Sequence, residues 1–179
     1  MEKIKELFFE ETLRHWHFEE VVKAAGMSRE RVNFYLKQLL KQYFIIKVKP
    51  RAKMPYYIAN REYARFRTEK RFSGLNLLEK AGLFEHINTI KEIKTAILFG
   101  SFARGDWNKS SDIDLFLYGD DAEFSKVRFE KILKREIQVF SFNDAKEIKK
   151  ELDPKLLPNI AKGFNIKSNL EPFEVILNA

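Results

Sequence analysis

The chain has 179 residues, with 33 Lys and Arg against 26 Asp and Glu and a formal net charge of +7. It has no cysteine, which excludes a disulfide framework and any thiolate metal site, and 45% hydrophobic residues with 17 Phe suffice for a real core. No apolar run approaches the ~20 residues that span a bilayer, and the charged opening Met1-Glu2-Lys3-Ile4-Lys5-Glu6 is unlike a signal peptide, so a soluble, cytoplasmic protein is expected.

The charge is unevenly divided. Residues 1–90 hold 18 basic and 11 acidic side chains, whereas residues 91–179 hold 15 of each. Between 29 and 71 the counts are 13 and 3. Such a split suggests two modules with different partners.

In chain order, Ile4, Leu7, Phe8 and Leu13 recur at helical spacing over residues 2–13. Phe18 to Ala25 reads as a second short helix stopped by Gly26, and Ser28 as the N-cap of a third from Arg29 to Gln42. That third helix should turn Val32, Tyr35 or Leu36, Leu39 and Leu40 inward. Phe44 to Lys49 and Pro55 to Ala59 then form two strands around the basic turn Pro50-Arg51-Ala52-Lys53-Met54.

Helix, helix–Gly–helix and basic hairpin together resemble a winged helix-turn-helix domain over residues 1–60. The resemblance rests on layout. It implies that the third helix enters the major groove of DNA while the hairpin follows the backbone. Arg29, Arg31, Asn33, Lys37 and Lys41 would then face DNA, Asn33 being the best reader of a base edge. Lys47, Lys49, Arg51 and Lys53 would meet phosphates. A homodimer is an expectation, since winged-helix proteins often pair.

Residues 61–84 interleave Arg65, Arg67, Lys70 and Arg71 with Tyr63, Phe66, Phe72 and Leu75, and read as a helical connector with breaks at Gly74 and Gly82. His15 and His17 flank Trp16 without a third ligand at metal spacing, so they read as packing residues, and His86 falls on a helix.

The chemistry concentrates further on. Thr95 to Phe99 is a short apolar run bounded by Gly100, hence a buried strand. Gly100-Ser101 breaks it and opens a short helix to Gly105, with Arg104 one turn on as an anion contact. After the polar loop Trp107 to Ser111, where Trp107 has either a base-stacking or a packing role, Asp112 to Tyr118 forms a second strand. Alternation there puts Ile113, Leu115 and Leu117 on one face and Asp112 and Asp114 on the other, about 7 Å apart by strand rise. Paired hard oxygen ligands suit a magnesium ion that also touches phosphates.

A strand, Gly-Ser, ten residues and Asp-x-Asp in a second strand resemble the nucleotidyltransferase superfamily of DNA polymerase beta, in particular its minimal members. The Ala103-Arg104-Gly105 run is common in those members. The resemblance covers about residues 85–170. It implies a mixed sheet with flanking helices, a nucleoside triphosphate (ATP as the expected one) held at Gly100, Ser101 and Arg104, and magnesium held by Asp112 and Asp114. The implied reaction transfers a nucleoside monophosphate to a hydroxyl and releases pyrophosphate.

The family's third carboxylate, on a later strand, is missing from its slot. Glu136-Ile137-Gln138-Val139-Phe140 puts a neutral amide there, and Glu136, two residues early, becomes the stand-in catalytic carboxylate. Asn143 to Leu152 and Pro154 to Ala161 read as helices, and Asn165 to Lys167 and Phe173 to Leu177 as short strands or packing segments.

The chain is therefore expected to be α+β, with a winged helix-turn-helix at 1–60, a helical connector at 61–84 and a nucleotidyltransferase-like domain at 85–179. Three functions compete: a DNA-associated nucleotidyltransferase, a regulator with a catalytically impaired nucleotide-sensing domain, and an antitoxin that adenylylates a toxin-like protein partner.

Overall fold

The computed structural model describes residues 1–168, so the expected segment Phe173 to Leu177 lies outside the described residues. The backbone divides into two compact units. One comprises Met1–Ser73 with Trp107–Lys109, the other Gly74–Asp106 with Ser110 onward.

In the first unit, helices α1 (Glu2–Glu10), α2 (Phe18–Ala25) and α3 (Arg29–Lys41) precede an antiparallel hairpin of β1 (Ile45–Val48) and β2 (Tyr56–Ala59). Its core is Ile4, Phe8, Phe9, Val21, Val32, Leu36, Leu39 and Phe44. Each such side chain contributes about 1.5–3 kcal/mol by leaving water. Gly26 ends α2 in the left-handed region at φ 62°, and Ser28 caps α3 by accepting from the Arg31 N–H. Without the cap, α3 would lose about 1 kcal/mol.

Three expectations here need correcting. Leu13 lies past the end of α1 and is 76% exposed, because the helix stops at Glu10 before the periodic stripe is complete. Residues 64–80 form one helix, α4 (Ala64–Lys80), which runs through Gly74; the break comes at Gly82, in the left-handed region. Trp107 is buried, and its indole N–H donates to the Lys70 carbonyl at 3.0 Å, so its role is packing and not stacking on a base.

The second unit is built on a four-stranded mixed sheet in the order β5-β4-β3-β6. Its strands are β3 (Ile93–Phe99), β4 (Ile113–Gly119), β5 (Ile137–Phe142) and β6 (Phe164–Lys167). Strand β3 pairs antiparallel with β4 and β6, while β4 and β5 run parallel. The helices are α5 (Leu83–Thr89), α6 (Gly100–Arg104), α7 (Lys126–Leu133), α8 (Ala145–Glu151) and α9 (Leu157–Ala161). The β-branched and aromatic content of the strands, fully buried in β4 from Leu115 onward, is what a covered sheet requires. One core cluster joins Ile97, Phe99, Phe116, Tyr118 and Phe142 to Ile148, Leu152 and Ile160 of the C-terminal helical segment. His86 sits on α5 and accepts from the Ser125 N–H through Nε2 at 3.2 Å. Among the described residues, no helix is long and apolar enough to cross a membrane.

Candidate functional site

Register decides which side chains meet. Phe99 of β3 pairs with Asp114 of β4, and Asp114 pairs with Gln138 of β5. These three form one row across the sheet. The next row on the same face is Ile97, Phe116 and Phe140, by the period of two along each strand. A row carrying one carboxylate and one amide thus borders an apolar floor.

At the end of β3 the chain turns abruptly. Gly100 has φ +66°, and a Cβ built there would collide with Oδ2 of Asp114 and lie 2.8 Å from its Cγ. Only glycine lets the backbone pass this close to the carboxylate. Phe102 and Ala103 of α6 are buried and fix the turn from below, and Gly105 closes the helix. Ser101 and Arg104 stay partly open, with Arg104 Nε donating to Asp106 Oδ2 at 3.2 Å. Gly100→Ala is expected to cost about 1–2 kcal/mol for a left-handed non-glycine residue, and to push Asp114 from its place. A lowered melting temperature together with lost ligand binding would register both effects; an unchanged protein would refute this account of the turn.

Asp112 lies just before β4. Arg135 donates to the Ser111 carbonyl at 3.0 Å, and the Ile113 N–H donates to the Glu136 carbonyl at 2.9 Å, which ties this entry segment to the start of β5. The Gln138 amide donates to Asp112 Oδ2 at 3.0 Å. Burial, reinforced by the negative charge of Asp112 and opposed by Arg104, raises the Asp114 carboxyl above its ordinary range. A half-buried carboxylate beside a second carboxylate suits a divalent cation, whose charge would favour the ionised form of Asp114. Among the described residues no cluster of three or more Asp, Glu, His or Cys side chains forms a complete metal site. The pair therefore fits one ion shared with a ligand's own oxygens.

These residues line a cleft of about 370 Å³, walled by Phe99, Gly100, Ser101, Arg104, Ser111, Asp112, Asp114, Gln138, Phe140, Leu156 and Asn159. The volume falls within the range of small-ligand sites. Of the expected site residues, Gly100, Ser101, Arg104, Asp112 and Asp114 come together here. Glu136 is placed elsewhere: it is exposed, precedes β5 and is absent from the cleft wall. Ser111, Phe99, Phe140, Leu156 and Asn159 were missed. Strand alternation from Asp114 and Gln138 would have found Phe140, but Leu156 and Asn159 carry no local signal.

In the first unit, Arg29, Arg31, Asn33, Lys37 and Lys41 are exposed on α3, and Arg51 and Lys53 are exposed in the β1–β2 turn. Arg29 is partly committed, since it pairs with Glu19 at 2.8 Å and its guanidinium lies over the Phe18 ring. Phe34, unremarked in the sequence, is 57% exposed on the same helix.

The second unit is thus an α+β domain with a mixed sheet whose antiparallel strand pair sets a Gly-Ser turn against an aspartate pair. Residues 83–167 match the family of polymerase beta nucleotidyltransferases, so this segment is a nucleotidyltransferase domain of that type. The chain is also similar to a protein of Methanocaldococcus jannaschii named as a candidate protein adenylyltransferase, at 45% identity over 47 residues. That match covers 24% of this chain and 47% of the relative, under half the relative's own length.

Proposed function

We propose that the chain is a DNA-binding protein whose nucleotidyltransferase domain binds a nucleoside triphosphate with magnesium, ATP being the favoured nucleotide, and transfers its nucleoside monophosphate to a hydroxyl acceptor. The observation that carries this reading is the convergence of Gly100, Ser101, Asp112 and Asp114 on one cleft within residues 83–167. Gly100 and Ser101 would lie against the phosphates, and Asp112 and Asp114 would hold the ion. The ion's contribution would be to neutralise phosphate charge as the oxygen of the acceptor displaces pyrophosphate at the α-phosphorus. Incubation with α-labelled ATP, magnesium and candidate hydroxyl acceptors tests it. Label appearing on an acceptor supports the proposal, and no transfer to any acceptor counts against it.

The name of the archaeal relative favours a protein as acceptor, and a toxin-like partner fits an antitoxin that modifies its target. The alternative is a regulator whose second domain senses the nucleotide without turning it over. The Gln138–Asp112 hydrogen bond favours this version, because the side chain beside the aspartate pair is a neutral amide that donates a hydrogen bond to Asp112 and cannot take the proton of an attacking hydroxyl.

The DNA-binding part of the proposal rests on the layout of α1 to β2, read as a winged helix-turn-helix, and on its exposed cations. Phosphate contacts release counterions, so binding should fall steeply with salt. In gel-shift or anisotropy titrations across salt concentrations, neutralising Arg31 and Lys37 together is expected to weaken binding and reduce the salt slope by about 0.9 per lost phosphate contact. A slope that ignores both changes would remove α3 as the DNA-facing element. Asp114→Ala should leave this binding intact.

A further inference from the structure

Phe34 is 57% exposed in the middle of α3, where the exposed residues Arg31, Asn33, Lys37 and Lys41 around it are all polar. Among the described residues of α3 it is the one exposed apolar side chain. The core face of the helix is set by Val32, Leu36 and Leu39, all buried. At about 100° per residue, Phe34 stands roughly 140–160° around the helix from each of them. It is therefore the crest of the outward face. Arg31 lies one turn before it, and Lys37 and Lys41 lie one and two turns after it. Its ring meets that of the half-buried Tyr35 edge to face, with centres 5.6 Å apart, and stays more than half in water. The acid on this face, Glu30, is engaged at the start of the helix. Hydrogen bonds from its own N–H and from the Ser28 hydroxyl hold its carboxyl below the ordinary range.

A surface that meets this crest has to answer two demands. It needs negative charge around the rim for the cations and an apolar spot at the centre for the ring. The major groove of DNA offers both. Phosphates line its edges, and the C5-methyl of thymine is the apolar group among the hydrogen-bonding base edges of its floor. Duplex RNA answers only the first demand, because its major groove is too deep and narrow for side chains to read. The 13 basic against 3 acidic side chains between residues 29 and 71 favour a polyanion over a protein surface.

We propose that Phe34 is a specificity-determining residue that reads thymine through its C5-methyl group in the major groove. The proposal rests on the DNA-binding reading of α3 above and adds which base is chosen and by which side chain.

The test begins with the full chain and a random-sequence duplex DNA pool at low salt, from which bound duplexes are selected over several rounds. The enriched site should contain thymine. Remaking it with deoxyuridine at each thymine in turn removes nothing but the methyl group. At one position or more, affinity measured by anisotropy should fall about fourfold, the worth of one buried methyl. In Phe34→Ala the thymine duplex should weaken by at least that factor, and its thymine and uracil versions should bind alike. The exposure of Phe34 and the helix propensity of alanine make the variant a mild one, and the measurements on the unaltered protein need no variant to fold. An enriched site that binds equally well with uracil at every position would overturn the assignment. So would a pool that is bound without enrichment, or a Phe34→Ala variant that keeps the uracil penalty. These results leave the DNA-binding reading standing. A Phe34→Ala variant with unchanged DNA binding that sediments as a monomer, where the unaltered chain is a dimer, would give the crest to a second copy instead. An unaltered, folded protein that retains no duplex even at low salt overturns the DNA-binding reading itself, and the assignment with it.

Discussion

In titrations of the full chain with ATP and magnesium, Asp114→Asn is expected to weaken binding by more than about a hundredfold, beyond the 10–100-fold typical of losing an outer-shell partner of a metal. The same substitution should raise the melting temperature of the empty protein. The two effects have opposite signs for one reason. Burial and the neighbouring Asp112 charge raise the Asp114 carboxyl above its unfolded value. The folded state therefore favours the protonated form. Its stabilising contribution is present below the unfolded pKa and disappears as pH rises through the folded one. At neutral pH the ionised carboxylate is a net cost in the empty cleft, and the isosteric amide removes it. A bound ion with its nucleotide reverses that balance by mass action, and only a carboxylate provides for it. Protons compete with the ion for Asp114, so magnesium-dependent binding by the unaltered protein should fall on acidification sooner than an ordinary carboxylate would predict. Calorimetry and thermal melts with and without magnesium check all three signs. A variant that binds ATP as before would remove Asp114 from the ion site, and one that melts lower would refute the electrostatic account.

What the sequence made legible follows the range of the forces involved. The strands at 93–99 and 113–119, the turn between strand and α6, and the shared face of Asp112 and Asp114 are products of short-range pattern: apolar runs, a glycine, a period of two. The expected bounds miss the observed ones by about two residues. Helix α4 was harder, because a glycine inside a helix costs only about 1 kcal/mol and surrounding residues can outweigh it. Gly74 passes for a break and is none. Glu136 shows a different limit. Its chemistry is that of a catalytic acid, but the parallel register puts Ile113 beside Ile137 and Asp114 beside Gln138. Residue 136 thus lies beyond the row that holds the aspartate. Which side chain stands beside Asp114 follows from strand pairing, a non-local contact, and not from the local pattern. Leu156 and Asn159 reach the cleft through the covering of the sheet by α9 and the return of the chain as β6, so nothing in their own neighbourhood marks them. The basic residues of α3 pose the reverse problem: pattern predicts their exposure, which is observed, whereas DNA as their ligand is expected from layout alone and waits on the salt titration.

Gln138→Glu separates the enzyme from the regulator. The amide nitrogen of Gln138 lies 3.0 Å from Asp112 Oδ2, and its strand position is beside Asp114. The substitution keeps the length and shape of the side chain but turns a donor into an acceptor. Without an ion, a third negative charge within hydrogen-bond distance of Asp112 should destabilise the protein, since like charges at this separation repel even when partly solvated. With a divalent cation present, the same carboxylate becomes a further oxygen ligand and a group able to accept the proton of an attacking hydroxyl. The melting temperature should therefore depend more steeply on magnesium than in the unaltered chain. If proton removal limits transfer, α-labelled ATP should be consumed faster by about a hundredfold or more, the lower part of the usual range for a positioned general base. Failure of the variant to gain transfer, with its magnesium-dependent melting intact, would mean that proton removal is not what restrains this site. Nucleotide sensing would then be the better reading of the domain. A loss of transfer on introducing the carboxylate would instead make the Gln138 amide part of the working arrangement, positioning Asp112 through the hydrogen bond it donates.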